Sequence, residues 1–187
     1  MIELDDTRWW PRVTHEGLTW AVAPRYIHGA AIGDELARQN GCELPTPGLV
    51  DAIWRAADVR CDPNRLVRRH DGTHATMSSE SVLADQAERV AREIERASVG
   101  LLRVGGHEPL VACTHKDIVR LPSGQVGIYG WHRLDGSRIQ PASGVHARGY
   151  VDYSQGLRLC KRVAIAPSAA LCSSTNAAKP WPASPNT

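Results

Sequence analysis

The chain has 187 residues, which is enough for one domain of ordinary size with a substantial core. Hydrophobic residues make up 42% of it and charged residues 22%, a composition that is typical of globular proteins and argues against disorder. The formal net charge of +2 is too small to favour nucleic acid or an acidic membrane, and no apolar run approaches the ~18 residues of a membrane span. We therefore expect neither nucleic-acid binding nor membrane insertion.

The first half of the chain carries mainly helical signals. Residues 18–23 (LTWAVA) are rich in β-formers and predict one short strand. Residues 33–41 predict a short helix that ends at an Asn-Gly pair. Residues 46–58 predict a second helix, with Thr46 as its N-cap and Pro47 at the first helical position, where the missing N–H costs nothing.

The long middle segment predicts a loop followed by a helix. Residues 60–78 contain few apolar side chains and predict a linking loop. In residues 78–100 the apolar residues recur at alternating spacings of four and three, which indicates a helix with a narrow apolar seam.

After residue 106 the pattern changes from helical to strand periodicity. Candidate strands cover 110–121, 125–132 and 157–166, and residues 134–137 (LDGS) predict a tight turn. The sequence therefore predicts an α+β fold, with N-terminal helices packed on a mainly antiparallel β-sheet. We expect one globular domain over residues 1–166 and a flexible, Pro-rich tail over 167–187.

Residues 114–132 (THKDIVRLPSGQVGIYGWH) predict a hairpin that carries a candidate site. If LPSG forms a four-residue turn, Arg120 pairs with Gln125 and His115 lies opposite Gly130. Side chains alternate across a strand, so His115, Asp117 and His132 then share one face and form the predicted catalytic group. A solvated face of an amphipathic hairpin is the alternative, because His and Asp usually decorate such a surface.

His146 and Asp152 follow the hairpin and extend this candidate site. Imidazole and carboxylate are common ligands of a catalytic zinc, so His132, His146 and Asp152 form the predicted metal group, with zinc as the candidate cofactor. Alternatively, one histidine acts as a general base that a neighbouring aspartate orients, which requires no metal.

Two short stretches resemble motifs of cell-wall enzymes. In VHARGYVD, the order of His146, Gly149 and Asp152 resembles the first metal motif of zinc D-Ala-D-Ala peptidases, although Asp152 comes one residue early. The stretch YSQGLRL resembles the Ser-His-Gly-Cys element of L,D-transpeptidases, with Gln155 and Leu157 in place of the histidine and the cysteine.

The wider pattern IYGWH, IQP and YVDYSQGLRL is similar to a group of uncharacterised bacterial proteins that usually read YVDYSHG. The resemblance extends back through residues 44–59 and implies a common fold, with no activity to carry over. Gln155 replaces that histidine and removes a potential ligand or base, so this resemblance also implies that the present copy could be impaired.

These features favour a small bacterial hydrolase, with or without a metal, that acts on a polar polymer or peptide such as cell-wall material. The rival is a non-catalytic ligand-binding or accessory domain, in which Tyr129, Trp131 and Tyr153 stack on a sugar or peptide. Either function implies a small-molecule, peptide or glycan ligand. Five scattered cysteines without a CxxC pair and the lack of a signal peptide predict reduced thiols and a soluble, cytoplasmic protein, with export left open.

Overall fold

A computed structural model describes residues 7–28, 33–63, 77–99, 101, 108–112, 114–145 and 150–163. Its helices are a 3-10 turn at Thr7–Trp9, α1 (Gly33–Gln39), α2 (Pro47–Ala56) and α3 (Glu80–Ala97). Its strands are β1 (Arg12–His15), β2 (Leu18–Val22), β3 (Ile27–His28), β4 (Val59–Arg60), β5 (Val111–Ala112), β6 (Lys116–Arg120), β7 (Val126–His132), β8 (Arg138–Ser143), β9 (Gln155–Leu157) and β10 (Cys160–Arg162). These elements confirm the predicted α+β class.

The described strands form three sheets, in the orders β1-β2-β10, β3-β9-β6-β7-β8 and β4-β5. Most neighbouring strands are antiparallel, but β4 pairs with β5 and β6 pairs with β9 in parallel. The five-stranded sheet places the β6–β7 hairpin in its interior, so both edges of this hairpin are hydrogen-bonded, β6 to β9 and β7 to β8.

Helix α2 follows directly from its local signals. Thr46 is the N-cap, and its side chain accepts a hydrogen bond from the Leu49 amide at 3.2 Å, while Pro47 occupies the first turn. The buried face of the helix carries Leu49 and Ile53, which lie in one apolar cluster with Val13, Trp20 and Val22 of the β1–β2 hairpin. This packing fixes the orientation of the helix, so that Asp51 lies away from the buried face, while Trp54 packs against the same cluster as a partly buried side chain.

The predicted register of the β6–β7 hairpin is wrong by one residue. Arg120 pairs with Val126, not with Gln125, and Asp117 lies opposite Tyr129. The cause is Gly124, which adopts a left-handed conformation at φ 82° directly after the turn, while the Leu121 amide donates to the Gln125 carbonyl. A turn followed by such a residue forms a bulged three-residue loop, which adds one residue to the count.

Other predicted elements have mixed outcomes. The strand at 18–23 and the helices at 33–41, 46–58 and 78–100 are confirmed, with boundaries shifted by a few residues. Strands β1, β3, β4 and β8 were not predicted, and β9 lies mostly before the predicted strand at 157–166. Most of the predicted loop at 60–78 and the predicted tail at 167–187 lie outside the described residues.

Cys42, Cys61 and Cys160 are buried free thiols. No helix in the ranges that the structure covers combines the length and the apolar character needed to cross a membrane.

Candidate functional site

A backbone irregularity in strand β7 determines to which face of the sheet its polar side chains point. Gly130 and Trp131 both have positive φ, at 93° and 53°, and the pairing of β7 with β8 is irregular between Ile128 and Gly130. A non-glycine residue with positive φ is uncommon, and a bulge of this kind changes the alternation of side chains across the sheet. As a result, Tyr129 and His132 both face α2, although a regular strand would place them on opposite faces.

His132 and Asp51 form the centre of the candidate site. Nε2 of His132 lies 2.9 Å from Oδ1 of Asp51, to which the hydroxyl of Tyr129 also donates at 2.9 Å. Arg138 of β8 donates to the same carboxylate through Nε at 3.2 Å and Nη2 at 3.0 Å. The side chain of His132 is 4% exposed and that of Asp51 is 18% exposed, so a buried imidazole is held by a carboxylate that has only limited access to water.

The electrostatics of this pair favour a neutral imidazole beside an ionised carboxylate. Burial lowers the pKa of His132, and this effect outweighs the hydrogen bond and charge of Asp51, which raise it. Burial alone would raise the pKa of Asp51, but the hydrogen bonds from His132 and Tyr129 and the charge of Arg138 bring it below the ordinary value. Burial and the hydrogen bond to Asp51 raise the pKa of Tyr129 to about 12, so its hydroxyl remains protonated.

Trp54 completes the site by covering the imidazole. Its ring stacks on His132 with 5.6 Å between centroids and 22° between planes. Gly136, in the β7–β8 turn, has φ 85° and lies so close to Trp54 that an added Cβ would be 3.0 Å from the indole. Because Nε2 of His132 is directed at Asp51, Nδ1 is the nitrogen on which the neutral ring would accept a proton.

His115 and Asp117 lie together, but in a different buried cluster from His132. The hydroxyl of Tyr26 donates to Asp117 Oδ2 at 3.0 Å, and the Tyr26 ring is 5.5 Å from the ring of His115. Nδ1 of His115 is 2.9 Å from the hydroxyl of Thr114. The catalytic roles predicted for His115 and Asp117 stay predictions, since their partners Thr114 and Tyr26 differ from Asp51 and Trp54, the partners of His132.

Arg158 is the positive partner of this second cluster. It is fully buried, its Nε lies 3.6 Å from Asp117 Oδ1, and it donates at 2.6 Å to each of two backbone carbonyls, those of Ala23 and Val111. Burial raises the pKa of Asp117 to about 6, although the charge of Arg158 and the hydrogen bond from Tyr26 act in the opposite direction. Removal of one partner of a buried ion pair leaves an uncompensated buried charge, so we expect Arg158 to contribute to the stability of the fold.

Of the predicted metal ligands other than His132, the structure describes Asp152, whose partners include Ser154 and Lys116. Oδ1 of Asp152 accepts hydrogen bonds from the amide and hydroxyl of Ser154 at 2.7 and 2.5 Å, and Oδ2 lies 3.9 Å from Lys116 Nζ. His146 lies outside the described residues. Among the residues that are described, no three His, Cys, Asp or Glu side chains are placed to hold a metal ion. The zinc site of His132, His146 and Asp152 therefore stays a prediction.

The partners of His132 were not predicted from the sequence. Asp51 and Trp54 were assigned only to a helix, and Arg138 to no element. One local signal existed: Asp51 and Trp54 are three residues apart and therefore share a helical face, whose combination of a carboxylate and an indole is suited to an imidazole.

Comparisons with protein-family models, curated proteins and solved structures each found no match to this chain. A functional proposal for the chain therefore rests on its geometry.

Proposed function

We propose that the protein is a small hydrolase in which His132 acts as general base and Asp51 orients it. The observation that carries this proposal is the 2.9 Å contact between Nε2 of His132 and Oδ1 of Asp51, inside a shell formed by Tyr129, Arg138 and Trp54. A base fixed by a third group is a recurrent unit of acid–base and nucleophilic catalysis. The strained backbone at Trp131, next to His132, is a feature that concentrates at functional sites.

The protonation states suit this role at neutral pH. A His132 ring that donates from Nε2 to Asp51 carries its lone pair on Nδ1, which can take a proton from water as the water attacks a carbonyl or glycosidic carbon. The imidazolium that results is stabilised by the ionised Asp51, whose charge is retained by Tyr129 and Arg138. The same proton can then pass to the leaving group, which closes the cycle.

His132 is almost fully buried, so a substrate can reach it only where the surrounding side chains meet solvent. Only 4% of the His132 side chain is exposed, whereas the Arg138 side chain is 52% exposed and lies directly over Asp51. We propose that substrate enters beside Arg138, where a guanidinium and the β7–β8 turn meet solvent. A cationic rim of this kind favours polar or anionic groups, in keeping with the expected polar polymer or peptide substrate.

Hydrolysis by the full-length protein tests the proposal. Nitrophenyl esters, chromogenic peptides and cell-wall glycan fragments are offered to the wild type and to His132→Gln, whose amide can still donate to Asp51 but cannot act as a base. His15→Gln is the matched control, because His15 lies on β1 and its Nε2 is 3.6 Å from Glu16. Turnover that is lost in His132→Gln and retained in His15→Gln supports the proposal. Equal turnover in the two variants, or none in the wild type, contradicts it.

Zinc remains the alternative means of activating water, with His132, His146 and Asp152 as its predicted ligands. Metal analysis of protein purified without a histidine tag distinguishes the alternatives. Stoichiometric zinc that is lost in His146→Ala would favour the metal. Activity that survives dialysis against a chelator would favour His132 as the base.

A further inference from the structure

The face of the β6–β7 hairpin opposite α2 carries a second group of polar side chains. Lys116 and Gln155 are paired neighbours on the parallel strands β6 and β9, and paired residues point to the same side of a sheet. Gly156, one residue later, faces the other side, where an added Cβ would meet Tyr26 and His115. Trp131 is on the Lys116 side, since Lys116 Nζ lies 5.4 Å from its ring centroid.

Two of these three side chains, those of Trp131 and Gln155, carry a buried hydrogen-bond donor that no described residue accepts. Trp131 is 3% exposed and Gln155 is 5% exposed, yet Nε1 of Trp131 and Nε2 of Gln155 are buried without a hydrogen-bond partner in the part of the chain that the structure describes. Unpaired buried donors of this kind are costly, and they commonly mark a place where a water or ligand binds.

Asp152 does not satisfy the donors of Trp131 and Gln155, which have no hydrogen-bond partner among the described residues. Its Oδ1 accepts from the amide and hydroxyl of Ser154, and its Oδ2 lies 3.9 Å from Lys116 Nζ. Burial lowers the pKa of Lys116, while Asp152 raises it. An additional acceptor beside Lys116 could therefore accept hydrogen bonds from the unpaired N–H groups of Trp131 and Gln155.

We propose that Lys116, Trp131 and Gln155 form a binding site for the carboxylate group of a small organic acid, on the hairpin face opposite His132. A carboxylate has two acceptor oxygens, which match an indole N–H and an amide N–H, with the ammonium nearby for its charge. Asp152 offsets much of the Lys116 charge, which favours a monoanion over a dianion such as phosphate. The Lys116 side chain is 15% exposed and marks the route from solvent.

NMR titration of the Trp131 indole N–H tests this site directly. Sodium acetate is the probe, sodium chloride at equal ionic strength is the salt control, and sodium phosphate is the competing anion. We expect the Trp131 resonance, identified by its absence in Trp131→Phe, to shift saturably with acetate alone. If Trp131→Phe fails to fold, sequential assignment of the wild type identifies the resonance.

Two variants with matched controls complete the test. Gln155→Leu should weaken acetate binding roughly tenfold or more, the effect of losing one hydrogen bond to a charged group, whereas Gln39→Leu, at an exposed position of α1, should not. Lys116→Met should weaken binding as well, and Lys161→Met, at an exposed position of β10, should not. An indole that responds equally to acetate and chloride, saturation by phosphate in place of acetate, or unchanged affinity in Gln155→Leu would overturn the proposal.

Discussion

Trp131 and His132 are adjacent in the chain and face opposite sides of the β6–β7 hairpin, where each belongs to a different group of polar side chains. His132 contacts Asp51 of α2, whereas Trp131 lies against Lys116 and Tyr153. The positive φ angles of Gly130 and Trp131 place both side chains in this way. The proposed catalytic base and the proposed carboxylate site therefore both depend on one short, strained segment.

Gly130→Ala should destabilise the fold and displace His132. An alanine at φ 93° is strained, and its Cβ would lie 3.2 Å from Val50 Cγ1 and 3.3 Å from His132 Cε1. We expect a loss of about 1–3 kcal/mol in the free energy of unfolding, with a change in the His132 ring resonances. Gly124→Ala is the control, because its φ is 82° but its Cβ would meet open space. Equal losses in the two variants, with the His132 resonances unmoved, would contradict this role for Gly130.

Arg158→Met should cost about 3–5 kcal/mol in the free energy of unfolding, since it leaves Asp117 buried without its positive partner. Denaturant unfolding of this variant and of Arg158→Met/Asp117→Asn should show partial recovery in the double variant. Arg162→Met is the exposed control, where the ion pair with Glu43 is worth at most about 1 kcal/mol. If the single variant were as stable as the control, the cluster of Asp117 would not be structural.

Thr46→Ala should lower the free energy of unfolding by about 1 kcal/mol, because the Thr46 side chain satisfies the Leu49 amide at the start of α2. Ser79→Ala at the start of α3 should cost less, since Ser79 makes no side-chain capping hydrogen bond. Chemical denaturation measures both changes. A larger loss at Ser79 than at Thr46 would show that the cap of α2 is not the stabilising one.

Acidification should reduce the stability of the wild type more than that of His132→Gln. Burial places the folded-state pKa of His132 below the ordinary value of about 6.5, so the unfolded chain binds the proton more tightly. This contribution is fully present above about pH 6.5 and is lost as pH falls through the folded-state pKa. Thermal unfolding from about pH 7 to about pH 5 should show the difference between the two proteins, and parallel curves would contradict it.

The parts of this fold that could be predicted from sequence are those set by local signals. Helix α2 was predicted with its cap because Thr46, Pro47 and the apolar spacing act within a few residues of each other. The hairpin itself was also predicted, but its register was not, because the stretch LPSG fits both a four-residue turn and a turn followed by a left-handed glycine. The φ angle of Gly124, which is 82° in the structure, distinguishes the second kind of turn from the first.

The candidate site was predictable only in part, because its contacts are long-range. His132 was recognised as a site residue, but its partner Asp51 lies 81 positions earlier and carries no motif. His115 and Asp117 do lie together, with Tyr26 and Arg158 as partners that no spacing rule connects to them. His146 lies outside the described residues, so its place beside this site stays a prediction.

The state of the His132 ring in solution tests the central claim most directly. Nitrogen NMR of the imidazole over a pH titration reports both its tautomer and its pKa. We predict a neutral ring protonated on Nε2, with a pKa below about 6.5 that falls further in Asp51→Asn, because Asp51 raises it. A ring protonated on Nδ1, or a pKa at or above the ordinary value that Asp51→Asn leaves unchanged, would contradict the assignment of His132 as a base oriented by Asp51.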